Sequence, residues 1–364
     1  MHKTAAWPLA LLYSGLIVYA SLYPFAEWRD QGIAPWTYLF TPLSPYWTWF
    51  DVAINVIGYG PLGGLLALAS VRSGGARRVV LVATLCGLVL SLSMETLQNY
   101  LPARVPSNVD LFLNLLGSWM GAVGALVLER MGAIDRWSRV RAHWFVPQAR
   151  GGLVLMATWP LALLFPAAVP FGLGQVMVRL KDGLAADLIN TPFLVWLPPH
   201  TTSLRSLAPG TELVCVFLGV LIPCLLAFCI GRSPWHRTAL ALLTVGVGVL
   251  TTALSSALSW GPQHAWAWAG LPVQVGLIAA TVVAVSLAWV PWRVSGALLL
   301  LALGLYLSLL NQAPESPYFS QTLKTWEQGR FIRFHGVAQW LGWLWPYATL
   351  AYVLTQIGRR DAKT

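Results

Sequence analysis

Ten nearly charge-free apolar runs follow one another along the chain, near residues 5–24, 52–70, 79–97, 110–128, 152–171, 212–230, 238–259, 267–289, 294–311 and 336–356. Each approaches the roughly 17 to 25 residues that a helix needs to cross the hydrocarbon core of a bilayer. The chain therefore reads as all-α, a polytopic integral membrane helical bundle of about ten transmembrane helices. Composition agrees: 57% of residues are hydrophobic, 10% are charged and the mean hydropathy is +0.64, whereas soluble domains carry about a quarter charged residues.

Orientation follows from the basic residues. Most of the 23 Lys and Arg lie at the N-terminus, in the 71–78, 129–151 and 231–237 segments, at Arg293 and in the C-terminal tail. Retention of basic loops on the inner side makes those segments cytoplasmic and, with an even number of spans, both termini cytoplasmic as well. A bacterial cytoplasmic (inner) membrane, crossed many times, is the location this implies. The net charge of +10 is accounted for by these loops and calls for no nucleic acid. The first run has a second reading as a signal peptide, with Lys3 ahead of it and a Val18-x-Ala20 cleavage-like site.

Cys86, Cys215, Cys224 and Cys229 all fall inside apolar runs without CxxC spacing and read as core packing. Zinc, dinucleotide, P-loop and nucleophile-elbow signatures are absent from the sequence, so neither a metal nor a cofactor is predicted. The segment Glu129 to Arg150 carries Arg130, Arg136, Arg139, Arg141 and Arg150 with Trp137 and Trp144 among them. It divides the chain into a four-helix module (1–128), a basic cytoplasmic linker (129–151) and a second membrane module of about six helices (152–364). The linker reads as a topology anchor on anionic headgroups, or as a docking site for a partner. On the other side, residues 25–50 are rich in Trp, Tyr and Pro and suit a segment roofing the helix ends. Segments 172–211 and 312–335 suit amphipathic interfacial stretches.

One polar pattern stands out against this background. Thr48-x-x-Asp51-x-x-x-Asn55-x-x-Gly58 recurs 59 residues later as Ser107-x-x-Asp110-x-x-x-Asn114-x-x-Gly117. In a helix the Asp, Asn and Gly of each copy share one face. Between the copies, Ser91, Glu95 and Gln98 form a third stripe at the end of a run that points the opposite way, so three polar helix ends meet in one layer. Thr48 and Ser107 stand three residues before an Asp, the spacing of a capping box with Asp in place of the longer Glu or Gln. Arg104, the one cation between the third and fourth runs, has the guanidinium geometry to pair with Asp51, Glu95 or Asp110. Two arrangements follow: a fixed ion network that locks four helices, or a receptor in which carboxylates hold Arg104, or a divalent cation, toward an anionic group. Gly117-x-x-x-Gly121 continues the second stripe and permits close helix approach.

At these residues the chain resembles the VanZ-like family of membrane proteins. The resemblance rests on Asp51-x-x-x-Asn55-x-x-x-Tyr59-x-Pro61-Leu62-Gly63, on Ser91, Glu95 and Gln98, on Pro102-x-Arg104-x-x-Ser107-x-x-Asp110, and on Asn114 with Gly117 and Gly121. It covers about residues 10–130 and implies a four-span module; the family is named for a protein that confers low-level resistance to the glycopeptide teicoplanin. The expectation is an inner-membrane protein whose extracytoplasmic polar pocket binds a cell-envelope component, such as a lipid-linked glycan or similar anionic lipid. Asp51, Asn55, Glu95, Gln98, Arg104, Ser107, Asp110 and Asn114 are the candidate binding residues, and membrane lipids the general partner. An enzyme using the carboxylates on a lipid-borne substrate, with no catalytic residue identified, and a structural partner in an envelope assembly are the alternatives.

Overall fold

A computed structural model of the chain describes residues 6–23, 25, 27–42, 49–72, 78–165, 167–189, 191–193, 209–311 and 332–361. Among these residues the regular elements are helical, and the extended pairing is an isolated bridge between Phe145 and Gly231. In chain order the α-helices are α1 (Ala6–Leu22), α2 (Trp49–Arg72), α3 (Val79–Gln98), α4 (Asn108–Arg130), α5 (Ala133–Trp144) and α6 (Arg150–Leu163). They continue with α7 (Met177–Asp187), α8 (Pro209–Ile230), α9 (Pro234–Trp260), α10 (Leu271–Leu287), α11 (Trp292–Leu310) and α12 (Ile332–Asp361). Among the described residues α2, α3, α4, α8, α9 and α11 are long and apolar enough to cross a membrane, while α1 and α10 are apolar but shorter. The protein is a polytopic helical membrane protein.

The chain divides into two compact units, Met1–Arg139 and Val140–Thr364. In the first, α2 and α4 pack side by side over much of their length. Their register is legible from paired contacts: Asn55 meets Asp110, Val56 lies against Gly117, Gly60 against Gly121, and Gly64 against Gly121 and Ala125. Residue numbers rise together, so the two helices run parallel. Against α4, Gly87 meets Ser118, Ser91 meets Asn114 and Glu95 meets Ser107, so α3 runs antiparallel.

Small residues make this approach possible. A Cβ on Gly63 would collide with the Ser118 carbonyl oxygen, one on Gly117 with that of Val56, and one on Gly121 with that of Gly60. Between membrane helices, where lipid is as apolar as the side chains, such backbone-to-backbone packing supplies much of the attraction. Gly117-x-x-x-Gly121 is thus part of a close-packed seam, with Gly60, Gly63 and Gly64 as its other half.

In the second unit α8 is the central helix. It is apolar all round, and fourteen of its residues are buried, from Cys215 to Ile230, as expected for a helix enclosed by others. Side chains of α6, α9, α10 and α11 complete one continuous core around it.

The apolar run at 152–171 departs from a simple span. Helix α6 ends at Leu163 after 14 residues, about 21 Å of helix, and beyond it Phe165, Val169, Phe171 and Leu173 are buried outside any regular element. Irregular backbone in such a core must find partners for its polar groups. Here Tyr306 supplies them, its hydroxyl donating to Phe171 O and accepting from Leu173 N. Asn311 Oδ1 accepts from Val176 N and Met177 N at 3.2 and 3.0 Å, while Tyr347 donates to Gly174 O at 3.2 Å. Of the stretches expected to be interfacial, 177–187 forms α7; residues 194–208 and 312–331 lie outside the described residues.

Candidate functional site

The polar residues of the first unit gather where α2 and α4 begin and α3 ends. Helix α4 starts there because Ser107, in extended conformation, accepts from the N–H groups of Val109 and Asp110 at 3.2 and 3.4 Å, the N-cap arrangement. A capping box would return the residue at Asp110 to the Ser107 N–H. The structure corrects that expectation: the Ser107 N–H donates to Oε2 of Glu95, 2.8 Å away on α3. Glu95 is long enough to reach across, and Asp110 Oδ1 receives the side-chain amide of Asn55 from α2 at 2.7 Å. One cap therefore joins three helices. Its counterpart Thr48 lies outside the described residues, and Asp51 stands half-buried in the first turn of α2.

One turn deeper, Asn114 donates through Nδ2 to Ser91 Oγ at 2.9 Å, and Tyr59 of α2 is buried in the adjoining apolar cluster. Glu95, Asp110 and Asn114 are all buried, with 4%, 8% and 4% of their surface exposed. The Asn114 Oδ1 atom is buried without a hydrogen-bond partner. The two copies of the sequence pattern are thus placed together but do different things. Asn55 links the copies, whereas Asn114 turns to α3; Gly117 is packed against backbone, whereas Gly58 faces open space and offers its carbonyl to Tyr13 at 2.9 Å.

Arg104 and Gln98 occupy a second level of the site. Arg104, 8% exposed, donates through Nη2 to Tyr23 O at 2.7 Å and Ala20 O at 3.2 Å. Gln98 donates to Ser21 O at 3.0 Å. These are carbonyls at the C-terminal end of α1, which the helix itself leaves unsatisfied. A cation there also complements the negative end of the helix dipole. Arg104 thus joins the α3–α4 loop to the end of α1.

Residues 27–42 lie across the same end of the bundle. Arg29 N donates to Tyr100 O at 3.0 Å, and Gln31 donates to Asn99 O at 2.7 Å. Asn99 in turn donates to Ile33 O at 3.0 Å, and Asn108 to Thr41 O at 2.8 Å. Tyr38 is buried over Thr96. Burial raises its phenol above the ordinary tyrosine range; the nearby charge of Glu95 adds to the rise and the Thr96 hydrogen bond opposes it. Tyr38, Tyr59, Ser91 and Asn99 complete the site although they were not among the eight candidates. Ser91 and Tyr59 carried a signal, lying one turn from Glu95 and Asn55; Tyr38 and Asn99, in irregular or terminal segments, carried none.

Chemically the arrangement is rich in acceptors: two buried carboxylates and, one turn deeper, a buried amide oxygen without a hydrogen-bond partner. Among the described residues no three His, Cys, Asp or Glu side chains form a group suited to a metal ion.

The family model VanZ/LLP1 matches residues 7–129, the stretch that holds α1 to α4, so the N-terminal region is VanZ-like. No curated protein and no solved structure matches the chain.

Proposed function

We propose that the N-terminal unit is a VanZ-like module of the bacterial inner membrane whose polar layer faces the extracytoplasmic side and binds the headgroup of a cell-envelope component, with a lipid-linked glycan as the leading class. The observation that carries this reading is the buried, unpartnered Asn114 Oδ1 one turn below Glu95 and Asp110. A buried acceptor without a donor costs about 1–3 kcal/mol, and ionisable groups at membrane depth mark functional sites by default. A hydroxyl- or amide-bearing headgroup supplies the missing donor. In this reading Asp51, Asn55, Glu95, Asp110 and Asn114 receive the headgroup, while Arg104, Gln98 and Ser107 hold the helix ends that present them. The family resemblance makes teicoplanin susceptibility a phenotype to read alongside binding.

A second reading has its own support. The Glu95–Ser107 and Arg104–α1 hydrogen bonds each satisfy a helix terminus, so the same polar layer serves as a lock between helices. Lipid retained by the purified protein, identified by mass spectrometry, separates the two. The binding reading expects a lipid-linked glycan precursor to accompany the wild type and to be lost in Asn114→Leu at unchanged melting temperature. Loss of thermal stability and membrane abundance in proportion to lipid would leave only the lock.

A further inference from the structure

Below the polar layer of the first unit, the seam between α3 and α4 carries further oxygen atoms that a bound headgroup does not use. At helical spacing Thr84, Gly87, Ser91 and Glu95 fall on one face of α3, and Asn114 and Ser118 stand one turn apart on α4. Gly87 lies against Ser118 and Ser91 is bonded to Asn114, so the two faces meet, with Thr84 next on the α3 side, about a turn beyond Gly87. Ser118 and Asn114 are 0% and 4% exposed. The Asn114 Oδ1, Ser118 Oγ and Thr84 Oγ1 atoms are all buried without a hydrogen-bond partner among the described residues.

Spacing decides what these oxygens suit. From Ser91, at the level of Asn114, to Thr84 the column runs about 10 Å along α3, twice the roughly 5 Å across the ligand shell of a single hard cation. Successive levels are about one helical turn apart, near 5.4 Å, too far for a direct hydrogen bond. Two O–H···O bonds of about 2.8 Å end to end cover that distance, so one water molecule spans each step. The chemistry agrees: the amide oxygen only accepts, the two hydroxyls both donate and accept, and water does both. Hydrocarbon offers none of them a partner.

We propose that the α3–α4 seam is a closed-ended water column, entered from the Glu95 end, in which water bridges Asn114 to Ser118 and Ser118 to Thr84. Its inner end is stopped by the apolar cluster of Ala67, Val79, Ala83, Ala122 and Ala125. Thr84 lies about 16 Å below Glu95 along α3, so the column brings water about half-way across a hydrocarbon core of roughly 30 Å and no further. It does not depend on a bound headgroup, which it meets at Asn114 alone.

The test follows silver ion, which reacts with thiols and is small enough to go where water goes. In the full-length protein with Cys86, Cys215, Cys224 and Cys229 replaced by alanine, Thr84→Cys and Ser118→Cys are treated with silver nitrate in chloride-free buffer. The thiols that remain are counted by maleimide addition after unfolding, read as intact mass. Both should be consumed about 10-fold faster than Ala122→Cys, a buried position in the apolar cluster, a factor equal to about 1.4 kcal/mol of opening at the dry site. A rate at either position equal to that of Ala122→Cys overturns the proposal. Should a cysteine variant not fold, water-edited solid-state NMR of the unsubstituted protein in liposomes decides. Thr84 and Ser118 signals that gain magnetisation from water ahead of Ala122 sustain the column, and simultaneous gain overturns it. Neither measurement reads lipid retention, so headgroup binding can fail while the column stands, and the reverse.

Discussion

Ser107 shows how one hydroxyl and one peptide N–H tie three helices. Its Oγ caps α4, its N–H is held by Glu95 of α3, and the Asp110 thus left to other partners takes Asn55 of α2. Ser107→Ala should remove the cap and lower stability by about 0.5–2 kcal/mol, read as a fall in melting temperature of the purified protein. An unchanged melt would mean that the first turn of α4 is satisfied by something other than Ser107. Glu95→Gln keeps an acceptor for the Ser107 N–H and should cost less than Glu95→Ala, which leaves that donor without its partner.

Among helices, the parallel pair α2 and α4 depends on glycine at some positions and not at others. Gly58 and Gly117 are equivalent in the repeated pattern, yet a Cβ at Gly117 meets the Val56 backbone while one at Gly58 meets nothing within 4 Å. Gly117→Ala should therefore force the helices apart and reduce the yield of monodisperse protein on size-exclusion chromatography. Gly58→Ala should match or exceed the wild type, since alanine favours a helix by up to about 1 kcal/mol over glycine. Equal behaviour of the two variants would contradict the seam. The break after α6 obeys the same physics in reverse: where helix hydrogen bonds stop inside the core, Tyr306, Asn311 and Tyr347 replace them.

For the molecule as a whole, orientation is the property on which the proposed sites depend. Ala103, exposed in the α3–α4 loop, and Ser138, exposed on α5, belong on opposite sides of the membrane if basic segments are cytoplasmic. In a background without the native cysteines, Ala103→Cys should react with a membrane-impermeant maleimide on intact cells, and Ser138→Cys only after permeabilisation. The opposite pattern would move the polar layer to the cytoplasmic side and remove the envelope reading.

Membrane class and helical character were legible in the residues alone, because an apolar run of bilayer length has few conformations that satisfy its backbone; of the ten transmembrane helices expected, nine runs lie on helices, six of which are long and apolar enough to cross a membrane among the described residues. The exception, 152–171, looks continuous in composition, and only the partners supplied from α11 and α12 explain how its second half stays buried without a helix. For the polar site, the 59-residue repeat located the layer, since it also sets the register of two parallel helices. It did not reveal that Glu95 would complete the Ser107 cap, that Arg104 would serve the end of α1, or that Gly58 and Gly117 would part company. Those outcomes rest on side-chain reach and on which helix lies opposite. Spacing along one chain fixes which residues share a face, and only the packed neighbours decide what that face touches.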